Sequence, residues 1–239
     1  MRSPRRGYTH MSIIDSVRQI ASASFPTDWG EFRIFGFERE FDQGGWRRRE
    51  GAVALTMGDV KSVLPLLRIH SQCLTGDVLG SLRCDCGKQL KRAFSLIAQE
   101  GSGIIIYEEQ EGRGIGTMAK LLAYELQDSG LDTVEANEQL GFKSDYRNYI
   151  LPIEILKHFG IARVRLLSNN PEKPLALEEA GIKVVELISC EVDAGPFAKE
   201  YLTTKKQKLG HLLKVGDSSG LDPRTCTPDS RSKNANCCW

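Results

Sequence analysis

The sequence lacks long apolar segments and blocks of charge of one sign. No stretch of the 239 residues approaches the roughly 20 apolar residues of a membrane-spanning helix. The 32 lysines and arginines nearly balance 31 acidic residues and form no long basic run, which argues against binding to bulk nucleic acid. The N-terminus is basic, but no apolar core of a signal peptide follows it. We therefore expect a cytoplasmic protein without nucleic-acid or membrane partners.

Paired Cys-x2-Cys knuckles are absent, although the sequence holds seven cysteines. Three of them lie together before residue 90: Cys73 is followed after ten residues by Cys84 and Cys86, with no fourth cysteine nearby. A disulfide between Cys84 and Cys86 would close a strained ring. Three protein ligands leave zinc with an open position for water, which is typical of hydrolytic rather than structural sites. One alternative is a structural zinc with His70 as fourth ligand, although His70 could equally be a core histidine.

The two ends of the chain are predicted to be unstructured. Residues 1–21 are assigned to a flexible N-terminal segment. Residues 215–239 are poor in apolar residues and rich in Ser, Asp, Pro and Asn, which predicts a disordered tail. That tail holds Cys226, Cys237 and Cys238. A folded domain is expected over residues 22–214.

The hydrophobic pattern of that domain changes along the chain. Before residue 70 it predicts short strands at Glu31–Phe37, Ala52–Thr56 and Val63–Ile69. From about residue 87 helices and strands alternate. Apolar stripes predict one helix through Leu90, Ala93, Phe94, Ile97 and Ala98 and another through Ile115, Met118, Leu122 and Leu126. Further helices are predicted over 147–159 and 172–180, and strands over 103–107, 163–167 and 182–187. The sequence thus predicts an α/β fold, a mixed sheet flanked by helices with a β-rich N-terminal portion.

Two loops that follow predicted strands are suited to bind an anion. Residues 108–116 contain three glycines, whose spacing matches neither the dinucleotide-binding fingerprint nor the P-loop. A tight turn explains the glycines equally well, but Arg113 among them suits bidentate phosphate binding. In the second loop Asn170 is predicted to cap a helix, and Ser168 and Lys173 add a hydroxyl and a cation.

Three further polar residues have two readings each. Asp145 either caps the helix from about residue 147 or orients Arg147 beside a phosphate. Arg147 in turn is either a solvated first-turn residue or part of that charged pair. Tyr124 lies off the apolar stripe of its helix and is either a core residue or a site hydroxyl, and spacing does not decide between them.

Seven motifs, taken together in order and spacing, resemble GTP cyclohydrolase II of riboflavin biosynthesis. They are Arg68–Asp77, Ser81–Gly87, Gln110–Gly116, Asp132–Asn137, Leu140–Phe142, Asp145-x-Arg147 and Leu167–Pro171. The resemblance runs from about residue 22 to about 214 and ends in Lys208–Leu213. The synthase domain of bifunctional relatives is absent, so the resemblance is to the monofunctional form.

The resemblance implies an enzyme and its reaction. GTP would be hydrolysed at C8 of the guanine imidazole ring, with release of formate and pyrophosphate. The product would be 2,5-diamino-6-(5-phosphoribosylamino)pyrimidin-4(3H)-one, made in the first step of riboflavin biosynthesis. The resemblance also implies one zinc ion per subunit, Mg²⁺ on the GTP phosphates and a homodimer.

The resemblance further implies roles for individual residues. Arg147 would be the nucleophile on the α-phosphate, Asp145 its proton acceptor, and Tyr124 a residue of the ring-opening site. Glu111 is suited to accept hydrogen bonds from the edge of guanine that adenine lacks. The implied zinc ligands are Cys73, Cys84 and Cys86, and the implied GTP contacts are Arg68, Ile69, His70, Ser71, Gln72, Gln89, Glu111, Gly112, Arg113, Thr133, Ser168 and Lys173.

The chain departs from the family pattern at several positions. Gln72 stands where Glu is expected, Glu109 where Arg is common, Ser168 where Thr is usual and Thr117 where Leu is common. Two alternatives therefore stay open. One is a paralogue that opens the ring but retains the formyl group, which the presence of Tyr124 disfavours. The other is a non-catalytic, zinc-containing nucleotide-binding regulator, for which Gln72 is the main support.

Overall fold

The centre of the protein is a mixed sheet in which two kinds of strand pairing meet. The computed structural model describes residues 16–43, 46–193 and 195–213, and within them seven strands pair in the order β1-β2-β3-β5-β4-β6-β7. Strands β1, β2 and β3 pair antiparallel with one another, and β3 pairs antiparallel with β5. Strands β5, β4, β6 and β7 run parallel. The strands are β1 Ser16–Thr27, β2 Gly30–Gln43, β3 Trp46–Met57, β4 Leu66–Ser71, β5 Gly103–Glu108, β6 Arg163–Leu167 and β7 Lys183–Ile188.

Helices connect and cover the parallel part of the sheet. They are α1 Cys86–Glu100, α2 Thr117–Asp128, α3 Thr133–Gln139, α4 Ile150–His158, α5 Glu172–Glu179 and α6 Lys199–Leu209. Short turns of other helical geometry lie at Leu74–Val78, Glu111–Gly114 and Pro196–Ala198. These elements confirm the predicted α/β class with its β-rich N-terminal portion.

The central strands β4 and β5 are buried on both faces. Along β5, Ile104 and Ile106 pack into one apolar layer, whereas Ile105 packs into the other. The first layer includes side chains of α4 and α5, and the second includes side chains of α1. A strand buried on both faces is largely apolar, as β5 is, whereas β4 also carries Arg68 and His70 towards its carboxyl end. The loops that follow the carboxyl ends of β4, β5 and β6 are therefore where a ligand is expected to bind.

The observed elements correct the sequence predictions in four places. Residues 16–21, expected to be flexible, belong to β1, which begins at Ser16 and pairs with β2. The strand predicted from Val63 begins at Leu66, and Val63 is exposed. The helix predicted from residue 147 begins at Ile150, so Asp145 is not its cap.

The fourth correction concerns the apolar stripe predicted for α2. Met118 is 71% exposed and Leu122 is 52% exposed, whereas the small Ala123 is the buried residue of this helix. The face of α2 that turns inward is thus its polar face, because it lines a cavity rather than the core.

Some predictions fall outside the described residues. These are the assignments for residues 1–15 and 214–239, including Cys226, Cys237 and Cys238. Within the described part of the chain, no helix is both long and apolar enough to cross a membrane.

Candidate active site

Three cysteine sulfur atoms meet where β4 ends and α1 begins. Cys73 follows β4 by two residues, Cys84 lies in the loop before α1, and Cys86 is the first residue of α1. All three Sγ atoms lie within 4.8 Å of one another. His70 does not join them in the described part of the chain, because its Nε2 atom lies 3.0 Å from the buried Asp77 carboxylate. The structure therefore favours His70 as a hydrogen-bonded core histidine.

The geometry of these sulfurs fits a metal ion. Tetrahedral zinc with bonds of about 2.3 Å places its sulfur ligands roughly 3.8 Å apart, and Cys73 Sγ lies 3.6 Å from Cys84 Sγ. Gly76 makes this approach possible, because a Cβ atom there would lie 2.7 Å from Cys84 Sγ and 3.1 Å from Cys73 Sγ. Likewise, a Cβ atom on Gly87 would lie 2.3 Å from the Gly76 carbonyl oxygen. Both glycines are therefore needed for the backbone to pack this closely around the three sulfur atoms.

The crowded thiols shift one another's pKa values. Hydrogen bonds from Cys84 and Cys86 lower the pKa of Cys73 far below its ordinary value. The hydrogen bond to Cys73 is in turn the main cause that raises the pKa of Cys84 to about 11 and that of Cys86 well above its ordinary value. The Lys120 ammonium lies 3.2 Å from Cys73 Sγ. A positive side chain thus compensates the most acidic sulfur of the group.

Glu111 ties Lys120 to the loop that carries Cys73. Its Oε1 atom lies 2.6 Å from Lys120 Nζ, and its Oε2 atom accepts a 2.6 Å hydrogen bond from the Leu74 backbone N–H. The Gly112 backbone N–H also donates to Oε1. Both side chains are largely buried, Lys120 being 13% exposed and Glu111 5%. Both oxygens of Glu111 are therefore already engaged within the protein.

Tyr124 places a hydroxyl close to the sulfur atoms. Its oxygen lies 3.1 Å from Thr75 Oγ1, which is itself 3.7 Å from Cys73 Sγ. The Arg83 guanidinium stacks over the Tyr124 ring at 4.9 Å and pairs with Asp128. Burial raises the pKa of Tyr124 above its ordinary value, so the hydroxyl stays protonated. Of the two readings, the structure favours a site hydroxyl.

Buried cations line the same cavity. Arg68 donates to the Leu167 carbonyl at 3.0 Å and to Gln89 Oε1 at 2.7 Å. Lys173, only 4% exposed, donates to the Ile69 carbonyl at 2.7 Å. Burial and then the charge of Arg68 lower the pKa of Lys173 well below its ordinary value. Anionic ligands would relieve this repulsion.

Asp145 and Arg147 form a bidentate pair before α4. The Asp145 carboxylate accepts from Arg147 Nε at 3.0 Å and from Arg147 Nη2 at 2.5 Å. Nη1 makes no hydrogen bond within the described residues, and Arg147 lines the cavity. Burial opposes the charged guanidinium, but Tyr149 and Asp145 outweigh it and raise the pKa of Arg147 above its ordinary value. The resting guanidinium is therefore charged.

The structure brings most of the predicted site residues to one cavity. Those that line it are Arg68, His70, Ser71, Gln72, Cys73, Cys84, Cys86, Gln89, Glu111, Gly112, Arg113, Tyr124, Thr133, Arg147, Ser168 and Lys173. Ile69 does not, because its side chain is fully buried in the core. Asp145 acts on the cavity through Arg147. Glu109, a departure from the family pattern, lies outside, with its carboxylate packed over Gly51 of β3.

Sequence reasoning missed several residues that line this cavity. They include Arg83, Lys120, Asn137, Asn169, Tyr201, Lys205 and His211. Lys120 could have been found as the cation on the polar face of a helix that also carries Tyr124. His211 belongs to the Lys208–Leu213 motif, for which the sequence alone predicts no role.

Comparisons with known proteins identify the family of the chain. A family model described as GTP cyclohydrolase II matches residues 18–189. A GTP cyclohydrolase-2 from Enterobacter sp. (strain 638) is 51% identical over 198 residues, covering 82% of this chain and 98% of the relative. One from Shewanella amazonensis is 49% identical over 199 residues, covering 83% and 94% respectively. The riboflavin biosynthesis protein RibBA of Chlorobium phaeovibrioides is 45% identical over 205 residues, which are 85% of this chain and 48% of that protein.

Proposed function

The chain belongs to the GTP cyclohydrolase II family of hydrolases, and from that premise we propose that it opens the imidazole ring of GTP at C8. Formate and pyrophosphate would be released, giving 2,5-diamino-6-(5-phosphoribosylamino)pyrimidin-4(3H)-one for riboflavin biosynthesis. The observation that carries this proposal is one cavity lined both by the three cysteines and by buried cations. A metal-binding group and a phosphate-binding group would then act on one substrate.

The cysteines are proposed to hold one zinc ion per subunit. Bound there, zinc would supply Lewis acidity and water activation at neutral pH. Lys120 would balance the negative charge of the thiolates, and the protonated Tyr124 hydroxyl would donate a hydrogen bond close to the ring that opens. Glu111 would hold Lys120 in place. Any contact of Glu111 with guanine would share an oxygen that already accepts a protein hydrogen bond.

The cations are proposed to bind the triphosphate, with Mg²⁺ on its oxygens. Arg147 has one guanidinium nitrogen, Nη1, free for a phosphate oxygen, while Asp145 holds the other two. Burial opposes ionisation of Asp145, but its bonds to Arg147 outweigh this and lower the pKa of Asp145. Both groups are thus charged at rest. The nucleophilic role that the family implies for Arg147 requires a neutral guanidine, so a proton must first pass to Asp145.

The catalytic domain is proposed to include the whole sheet, beginning with β1 rather than at residue 22. A homodimer is also proposed. Met118, Leu121 and Leu122 of α2 are 45–71% exposed, and a second copy could cover such an apolar face. Light scattering of the wild type and of Leu122→Glu tests this, since the variant should lower the dimer fraction. The cytoplasmic location remains a prediction.

The experiment that tests the function measures formate and pyrophosphate release from GTP by zinc-loaded protein, with ATP as control substrate. Cys84→Ser should lose both bound zinc and formate release. Cys190→Ala is the matched control, because Cys190 is a buried cysteine of the α1 layer outside the sulfur group. It should retain zinc and activity.

The possible products separate the alternatives. Formate with pyrophosphate supports the proposed reaction. Ring opening without formate would instead indicate the formyl-retaining paralogue. Pyrophosphate alone would mean that the phosphate chemistry works without a competent sulfur site. Release of neither product, with GTP still bound, would favour the non-catalytic regulator.

A further inference from the structure

The segment that follows β7 reaches the cavity from outside the region matched by the family model. That match ends at residue 189, whereas α6 begins at Lys199. Tyr201, Lys205 and His211 nevertheless line the same cavity as the cysteines and Arg147. The segment therefore completes the wall of the site.

Several contacts hold this segment against the rest of the site. Lys205 Nζ lies 3.3 Å from the buried carboxylate of Asp85, which stands between two of the cysteines. The Asn169 side chain donates to the Leu212 carbonyl at 2.7 Å, and the Leu212 backbone N–H donates to the Asn169 carbonyl at 2.9 Å. Lys208 pairs with two acidic residues at the start of α3. The backbone next to His211 is thus fixed from both sides.

The His211 ring faces positive charge. Its backbone N–H donates to the Lys205 carbonyl at 3.1 Å, but its ring makes no hydrogen bond within the described residues. Burial, and then the charges of Lys205, Arg147, Lys173 and Arg113, lower the pKa of His211 to about 3. These four cations come from α6, the loop before α4, α5 and the loop after β5, and all line the cavity with His211.

A neutral imidazole has one N–H to donate, and four cations around it favour an acceptor that carries negative charge. We propose that His211 is a substrate-contacting residue that donates a hydrogen bond to the phosphate chain of the bound nucleoside triphosphate. It would complete a phosphate subsite with Arg113, Arg147 and Lys173, held in place by the Lys205–Asp85 pair. This inference rests on the proposed function, because it identifies a further contact of the same substrate.

The test compares binding of three probes by calorimetry: inorganic triphosphate, guanosine and a non-hydrolysable GTP analogue. His211→Ala should weaken binding of triphosphate and of the analogue about tenfold or more, the usual effect of losing a hydrogen bond to a charged group. Guanosine binding should not change. His211→Gln, which keeps an N–H donor, should recover part of the loss. His158→Gln is the control, because His158 is an exposed histidine of α4 that bonds to Gln19.

Two results would overturn the inference. Equal triphosphate affinity of the wild type and His211→Ala would show that His211 makes no contact with the phosphate chain. Equal losses for guanosine and triphosphate in both His211 variants would show a general effect on the cavity. Thermal melts identify a variant that fails to fold, in which case His211→Gln carries the test. If wild-type protein releases formate normally while either result is found, only this inference fails. If wild-type protein neither binds the analogue nor releases formate, the proposed function itself fails.

Discussion

Replacement of Gly76 by alanine tests whether the three sulfur atoms form a metal site whose size is set by the backbone. A Cβ atom at this position would lie 2.7 Å from Cys84 Sγ, whereas ordinary contact begins at 3.4 Å. Either the sulfur or the Leu74–Val78 turn must therefore move by about 0.7 Å. Metal–ligand distances tolerate only about ±0.2 Å. The required shift is several times larger than that tolerance.

We expect Gly76→Ala to weaken zinc binding at least about tenfold, which corresponds to about 1.4 kcal/mol. Competition with a chromophoric chelator measures the affinity, and elemental analysis measures the zinc content. Formate release should fall with zinc occupancy. Gly36→Ala is the matched control, because a Cβ atom there meets nothing within 4 Å and its φ is not in the left-handed region. If Gly76→Ala bound zinc within twofold of wild type, the backbone at Gly76 would not set the size of the metal site.

Three further predictions follow from the charged groups. Lys120→Met leaves the buried Glu111 carboxylate without its cation and should lower the free energy of unfolding by about 3 kcal/mol in urea titrations. The double variant Lys120→Met with Glu111→Gln should recover much of this lost stability. Equal stability of the single and the double variant would contradict the role of the ion pair. Burial opposes ionisation of Asp145, but its contacts with Arg147 lower its pKa. The ionised carboxylate therefore stabilises the fold above about pH 4, the pKa of an aspartate in the unfolded chain. This stabilisation is lost as the pH falls through the lowered pKa of the folded state. The stability difference between wild type and Asp145→Asn should therefore shrink below about pH 4, and a constant difference from pH 3 to 7 would argue against this coupling. Arg113 has a φ of +61°, a conformation that asparagine tolerates better. Arg113→Asn should therefore keep the stability of the fold or raise it by up to about 1 kcal/mol, while weakening binding of the GTP analogue. Unchanged binding of the analogue would show that Arg113 does not belong to the phosphate subsite.

Local patterns predicted the elements that have a strong apolar signature. A run of apolar residues located β5 to within a residue, because a strand buried on both faces must be apolar on both. The predicted bounds of β6 also match the observed ones, although this strand carries two arginines. The same reasoning missed β1, in which most side chains are exposed and the alternation is weak. It also misassigned the inward face of α2, because the periodicity of a helix shows an apolar face but not whether the core or a partner covers it.

By itself, the sequence determined the chemistry of the candidate site. The spacing of Cys73, Cys84 and Cys86 indicated a metal centre, since the residues that bind a metal must be of particular types and lie on a few loops. Only the tertiary structure decided which other side chains act there. Lys120 meets Glu111 and Cys73, and Lys205 meets Asp85 across 120 positions of the chain. A long charged side chain carries no local signal of its distant partner. Such pairings exist only once the sheet has brought the ends of its strands together.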